Sequence, residues 1–378
     1  MNVQIITSSY PVTPDDPAGT AGLFVREFAL ELLRQGHSVV INPVTRAKPY
    51  DGDNGLTIEP LPWLGGDQEL ASMNFFNPFN WFIFLHFFIK GTTQAIRSHA
   101  DHNIDKVLCM WVVPSGIFGF RIGKKLNKKY DVWALGSDIW KIRKIPVIGN
   151  WILRTVIGRA DGVWADGLKL ADDVKAISGK ECKFLPSSRR LPSPRADRMT
   201  LEPKERIHFL FVGRYHPNKG PDLLIEAVHQ LPADYKKQIT VHMFGAGPMK
   251  EYLQKIIRDY QLPVVVQFNG LIGAQELSDY LHRVSYLIIP SRIESIPVIF
   301  SDALQLDRPV VAMPVGDLKR LIETMHCGIV AEQPDAQALA QAMMRAIETD
   351  PKEFQVKNLE NKKYFNISHN VTQWIQQP

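Results

Sequence analysis

Phe209-Leu-Phe-Val-Gly-Arg-Tyr-His-Pro-Asn-Lys-Gly220, followed by Pro221-Asp-Leu-Leu-Ile-Glu-Ala-Val228, reads as a strand, a turn and a helix. The apolar run Phe209 to Val212 has the length of a buried strand. Pro217, Asn218 and Gly220 supply turn chemistry, and Pro221 suits the first turn of a helix. Arg214 and Lys219 flank that turn. Two cations at a strand's carboxyl end, beside a helix start, suit a diphosphate. Either cation alone is ordinary on a surface turn. The alternation then recurs. Ile239 to Phe244 reads as a strand, runs into Gly245-Ala-Gly247, and continues as a helical pattern from Met249 to Asp259. Two glycines without a third in register are a weak dinucleotide fingerprint, so this reads as a tight strand-to-helix turn. Alternating strands and helices predict an α/β fold with parallel sheets.

A third unit of the same kind is Ser291-Arg-Ile-Glu-Ser-Ile-Pro-Val-Ile-Phe-Ser-Asp302, preceded by the apolar run Tyr286 to Ile289. Glu294 falls on the loop at the strand's carboxyl end. Pro297 opens a helix pattern, and Asp302 lies further along that helix. Free N–H groups at a helix start favour phosphate, and the two carboxylates suit sugar and ribose hydroxyls. Acidic residues at this spacing are common alone, and the pair gains weight from the cations upstream.

Together the motifs resemble glycosyltransferase family 4. The resemblance rests on Gly213-Arg-x-x-x-x-Lys-Gly220, Gly245-x-Gly247, Glu294 and Asp302 with seven residues between them beginning at Ser295, Pro314-Val-Gly316, and the stretch from Cys327 to Ala340. It covers most of the chain and is most specific in the carboxyl half. It implies an α/β enzyme of the GT-B fold, two Rossmann-like domains facing each other across a cleft, acting with retention of configuration. It implies catalytic roles for Glu294, Arg214 and Lys219. Arg214 and Lys219 would hold the donor diphosphate, Glu294 would face the sugar, and Asp302 the ribose. Donor-binding positions would also include Gly22, Gly213, Gly245, Gly270, Leu271, Ser295, Ile296, Pro297 and Val298. Gly136, Ser137 and Asp138 would lie on the acceptor side. Three positions depart from the family pattern: Asp302 stands where glutamate is usual, Pro297 where glycine is usual, and Leu135 where a sugar-contacting histidine is usual.

With 378 residues, 45% of them hydrophobic, the chain is long enough for two domains. The expected division is an amino-terminal Rossmann-like acceptor and membrane domain over 1–185, a linker over 186–204, and a carboxy-terminal donor domain over 205–353. The segment 354–378 is expected to cross back to the first domain. The linker reading rests on the Pro-, Ser- and Arg-rich run Pro186 to Arg195. Three distant cysteines, Cys109, Cys182 and Cys327, form no metal or disulfide spacing. Met1-Asn-Val-Gln-Ile-Ile6 lacks a basic leader and reads as a first strand. Asp51 and Asp53 lie in a polar loop without an apolar frame and are discounted as a metal pair.

In the amino half, Val3–Ile6, Phe24–Gln35 and Ser38–Ile41 read as strand, helix, strand. The turn Pro17 to Gly22 is rich in small residues. Val132 to Leu135 reads as a strand that delivers Gly136, Ser137 and Asp138 to the carboxyl side of the sheet, where such folds bind ligands. Phe75 to Ile89 is aromatic on nearly every side and shorter than the roughly 20 residues of a bilayer span. Two readings stay open for it: a helix lying on a membrane surface and a helix buried against the sheet. From Lys90 to Arg159 there are thirteen Lys/Arg and four Asp/Glu, within a chain of net charge +5. That cationic surface suits anionic head groups. No nucleic-acid reader motif accompanies it.

The expected function is a retaining hexosyltransferase-type enzyme that uses no cofactor and no metal. Its donor would be a UDP- or GDP-linked sugar and its acceptor a lipid-linked glycan in surface polysaccharide assembly. It would lie in the cytoplasm, peripheral on the inner face of the cell membrane. The alternatives are a nucleotide-sugar epimerase of similar fold and a binding protein that kept the nucleotide pocket without transfer.

Overall fold

The computed structural model describes residues 1–11, 20–44, 55–66, 77–195, 201–354 and 362–377. Residues 17–19, Asp51, Asp53, Phe75 and Phe76 lie outside this set. The chain forms two compact units, Met1–Pro186 with Ile367–Pro378, and Ser187–Asn366.

The first unit is built on the strands β1 (Asn2–Thr7), β2 (Ser38–Pro43), β3 (Leu56–Ile58), β4 (Lys106–Met110), β5 (Asp131–Ala134), β6 (Gly162–Ala165) and β7 (Lys183–Phe184). They form a parallel sheet in the order β3-β2-β1-β4-β5-β6-β7. The central strands β1, β2, β4, β5 and β6 are mostly buried because helices cover both faces, and the buried polar side chains among them are paired, as where Gln4 Nε2 donates to Asn42 Oδ1 at 2.7 Å. Val107, Cys109 and Val132 pack under the helix Ser115–Leu126, in one cluster with Phe118 and Ile122. On the helix Pro78–Asp101, Ile83, Phe87, Gly91 and Ala95 form the buried stripe at i,i+4 spacing. Trp81, Phe82, Leu85 and Ile89 lie on its exposed side. The helix therefore has one face packed in the first unit and one face exposed.

The terminal helix Ile367–Ile375 belongs to the first unit. Its Trp374 is fully buried beside Phe28 and donates from Nε1 to Asp131 at 2.8 Å. Lys106 Nζ donates to the carbonyls of Trp374 and Gln377 at 2.8 and 2.7 Å, closing the last turn of the helix.

The second unit is built on β8 (Ile207–Val212), β9 (Ile239–Phe244), β10 (Val266–Phe268), β11 (Tyr286–Ile289), β12 (Val310–Ala312) and β13 (Gly328–Val330). Their order is β10-β9-β8-β11-β12-β13, all parallel. The chain winds outward from β8 to β10, then returns to β11 on the other side of β8. The loops after β8 and β11 therefore diverge at a topological switch point, where such sheets open a ligand crevice.

Residues 187–195 form no helix or strand and are fastened to the second unit. Ser301 Oγ donates to Ser187 O at 2.9 Å and Gln305 to Arg189 O at 2.9 Å. Ser278 Oγ donates to Pro192 O at 2.6 Å, and Arg195 forms a forked pair with Asp279. Among the described residues, no helix is long and apolar enough to cross a membrane.

Candidate functional site

The loops after β8, β9 and β10 are tied together by backbone bonds. Gly213 N–H donates to Phe244 O at 3.0 Å, Tyr215 N–H to Ala246 O at 2.8 Å, and Gly245 N–H to Gly270 O at 2.9 Å. Tyr215 is the buried post beneath them. Its hydroxyl lies 3.2 Å from Met243 O and 3.1 Å from Asn269 O, and its ring stacks on Phe268. Gly213, Gly245 and Gly270 are thus brought together. Leu271 is exposed beside them.

A single 3-10 turn, Pro217–Lys219, presents Lys219. His216 Nδ1 caps it by accepting from Asn218 N–H at 3.2 Å. Gly220 has φ +64°, and a Cβ there would strike the Pro290 carbonyl oxygen. Only glycine meets both demands, so the turn after β8 lies directly against the end of β11.

Arg292 fastens this approach. Its backbone N–H donates to Asn218 O at 2.9 Å. Its guanidinium reaches Pro217 O at 2.8 Å and forks onto Asp222 at 2.8 and 2.6 Å. A bidentate pair of this kind fixes orientation as well as distance. The result is that Lys219 Nζ, from the loop after β8, forms an ion pair with Glu294 Oε2, from the loop after β11. Ser291 Oγ lies 3.5 Å from the same oxygen. Beneath Glu294, Gly316 (φ +56°) lets the loop after β12 pass under the Glu294 and Ser295 carbonyls, where any Cβ would collide. Arg214 is exposed at the start of the same turn.

Ser295, Ile296 and Pro297 are buried, and Pro297 precedes the helix Val298–Gln305 as its cap residue. Asp302 lies on that helix, as the pattern predicts, but its carboxylate is 0% exposed. Arg189 grips both oxygens, from Nε at 3.1 and 3.0 Å and from Nη2 at 2.5 Å. Burial raises its pKa and the Arg189 charge opposes that rise. The short side chain is turned to Arg189 and presents no oxygen to solvent.

In the first unit, Gly136 has φ +97°, and Ser137 is the exposed first residue of the helix Ser137–Arg143. Asp138 is buried. Its Oδ2 accepts from Val112 N–H at 2.6 Å and its Oδ1 from Leu135 N–H at 3.1 Å. Burial pushes its carboxyl up to about 6, against the pull of those amides. Asp138 therefore braces the loop after β5 from within. Gly22 lies in the first turns of the helix Thr20–Arg34, where a Cβ would meet the backbone of Tyr10 and Pro11. Among the described residues, no group of three or more His, Cys, Asp or Glu is placed to hold a metal ion.

The sequence reading missed Arg292, Asp222 and Arg189. Each looks like an ordinary surface charge in the sequence. Only the first two carried a signal: a cation two residues before Glu294 and an acid in the first turn after Gly220.

Residues 193–363 match the family described as Glycosyl transferases group 1. An uncharacterised glycosyltransferase of Methanocaldococcus jannaschii is 25% identical over 251 residues, 66% of this chain and 67% of the relative. The Bacillus subtilis protein TuaC, named as a teichuronic acid biosynthesis glycosyltransferase, is 26% identical over 265 residues, 68% of this chain and 65% of the relative. The chain thus spans about two thirds of the length of these relatives. The Anabaena protein HepE, solved in complex with UDP and glucose, superposes with a TM-score of 0.70 at 14% identity, over 99% of this chain and 98% of HepE. The fold is GT-B, two Rossmann-like units. The comparisons support a transferase of the glycosyltransferase class.

Proposed function

We propose that this chain is a retaining family 4 glycosyltransferase that moves a hexose-type sugar from a UDP- or GDP-linked donor to a lipid-linked glycan in surface polysaccharide assembly. The observation that carries the reading is the Lys219–Glu294 pair at the switch point of the second sheet. A cation suited to a diphosphate and a carboxylate suited to sugar hydroxyls are held against each other by a fixed frame. When a donor arrives, its diphosphate takes the place of the carboxylate on Lys219, and Glu294 turns to the sugar. Arg214, Lys219 and the N–H groups opening the helix Val298–Gln305 stabilise charge on the departing diphosphate. Those cations neutralise the leaving group, and the reaction proceeds without a metal. The departing phosphate oxygen assists removal of the acceptor's proton. With Asp302 turned to Arg189, the ribose is held by backbone around Gly270 and Ser295.

The name of one relative supports a place in polysaccharide assembly: TuaC is named for teichuronic acid biosynthesis. HepE was solved with UDP and glucose, which supports a nucleotide-sugar donor. The exposed face of the helix Pro78–Asp101 supports a peripheral place on the inner face of the membrane. The test is a screen of nucleotide sugars with chelator present, reading released nucleotide with and without a membrane-lipid extract. Release that requires both a nucleotide sugar and the extract is expected. A donor consumed without any acceptor, or a requirement for added metal, would overturn the reading.

A further inference from the structure

The first unit carries a second apolar edge that the charge pattern alone does not reveal. Between the helix Ser137–Arg143 and the helix Ile148–Arg159 the chain turns at Ile145-Pro146-Val147. Val147 is 84% exposed, Ile148 59% and Trp151 66%. Val147 also has φ +58°. Positive φ is unfavourable for a β-branched residue, and here it displays an apolar side chain outward. Gly149 permits the turn, because a Cβ there would collide with the Ile142 carbonyl. Adjacent exposed apolar groups on this turn suit an interaction surface.

Charge identifies what covers it. From Ile139 to Ala160 there is no Asp or Glu, while Lys141, Arg143, Lys144, Arg154 and Arg159 fall in the same stretch. Lys141, Arg143 and Lys144, next to the apolar turn, are all exposed. A tryptophan with aliphatic neighbours, rimmed by cations, complements the head-group boundary of an anionic bilayer.

Topology says which way this edge faces. The helix Ile148–Arg159 leads into the start of β6, so its own start lies at the carboxyl ends of the strands. The helix Pro78–Asp101 leads into β4 in the same sense, which puts Trp81, Phe82 and Leu85 at that end too. The helix Ser115–Leu126 lies between the two: Phe118 packs on Phe87, and Gly116 lies against Val156. Gly136 and Ser137 emerge from β5 at the same end.

We propose that the turn Ile145–Trp151 inserts into anionic bilayers as a second anchor beside the helix Pro78–Asp101, so that the first unit docks with the carboxyl ends of its strands toward the lipid. This inference rests on the proposed lipid-linked acceptor and adds how the enzyme meets it.

The test compares the full chain with the triple variant Val147→Ser, Ile148→Ser, Trp151→Ser, in flotation with vesicles of phosphatidylcholine alone or mixed with phosphatidylglycerol. The parent should float with the mixed vesicles only. The triple variant should lose at least about tenfold in partitioning while keeping its circular dichroism spectrum. Lys141→Glu, Arg143→Glu, Lys144→Glu should abolish the preference for anionic lipid. Unchanged flotation of a folded triple variant would overturn the proposal, as would equal binding of the parent to neutral vesicles. So would a parent dimer that the triple variant converts to monomer without change in flotation, which would assign the turn to a second copy. If the triple variant does not fold, Trp151→Ser alone must still lower partitioning, and unchanged flotation of that variant overturns the proposal. Flotation is read without acceptor, so a protein that floats as expected yet transfers only to soluble acceptors would refute the acceptor class and leave the anchor standing.

Discussion

At the level of single residues, Lys219 and Glu294 have the sharpest consequences. Lys219→Ala and Arg214→Ala should each reduce kcat/KM by about 2–4 kcal/mol of transition-state stabilisation, with little change in thermal unfolding, because both side chains reach solvent. Near-normal turnover in either folded variant would remove it from the diphosphate site. Glu294→Gln should abolish transfer while donor binding by calorimetry persists, since Lys219 then loses a competitor for the phosphate. Asp138 makes a different kind of prediction. Burial holds its carboxyl at about 6 in the folded protein, above the ordinary aspartate value of about 3.9. The native state therefore holds the proton more tightly than the unfolded chain, and Asp138's contribution to stability falls as pH rises from roughly 4 to 6. Urea midpoints across that window should slope downward in the parent and lose that component in Asp138→Asn. An unchanged slope in the variant would show that Asp138 titrates normally. The sequence made Lys219, Arg214 and Glu294 legible because turn chemistry and strand ends fix where loop residues fall. It did not show that Asp302 and Asp138 are buried, because position on an element does not reveal which neighbour a carboxylate turns to. The Arg189 that captures Asp302 lies 113 residues away in the chain.

At the level of elements, the site is a junction of two loops whose strands are neighbours in space only. The strands themselves were readable: β8, β9 and β11 coincide with the apolar runs. What the runs could not show is how the loops are joined. Arg292 and Asp222 supply that joint, with three guanidinium bonds and one backbone bond crossing from one loop to the other. Neither side chain is expected to touch the donor. Arg292→Ala should lower kcat about tenfold to a hundredfold through displacement of Glu294 from Lys219. Asp222→Ala should do the same, and the double variant should be no worse than the more severe single variant. Such non-additivity is the mark of one shared contact. Additive losses would mean that each residue acts separately, and Arg292→Lys restoring full activity would show that charge matters there without the fork. The helix Pro78–Asp101 gives the complementary case. Its aromatic content hid its amphipathicity from the sequence reading, because rings occur on both faces. Packing separates them: Phe87 sits edge-on to Phe118, while Trp81 and Phe82 remain exposed.

At the level of the whole molecule, the chain leaves the first unit at Pro186, builds the second, and returns at Ile367. The family resemblance implied the return but not what fixes it. The fixing group is Trp374, which fills the space beside Phe28, donates to Asp131, and lies 4.9 Å beneath the Lys106 ammonium. Asn370 adds a bond to Pro186 O at 2.9 Å, where the chain departs. The first unit is therefore completed by the last residues of the chain, and the second is not. Trp374→Ala should remove a large buried ring and leave the Asp131 carboxylate short of a donor. The loss is on the order of 3–5 kcal/mol, and it should fall on one unit. Hydrogen exchange followed by mass spectrometry should show β1, β4, β5 and the helix Thr20–Arg34 losing protection, while β8, β9 and β11 keep theirs. A two-unit chain need not unfold in one step, so thermal unfolding should split, with an early transition that moves and a late one that does not. If protection fell equally in both units, the terminal helix would be holding the whole molecule together and not the first unit alone.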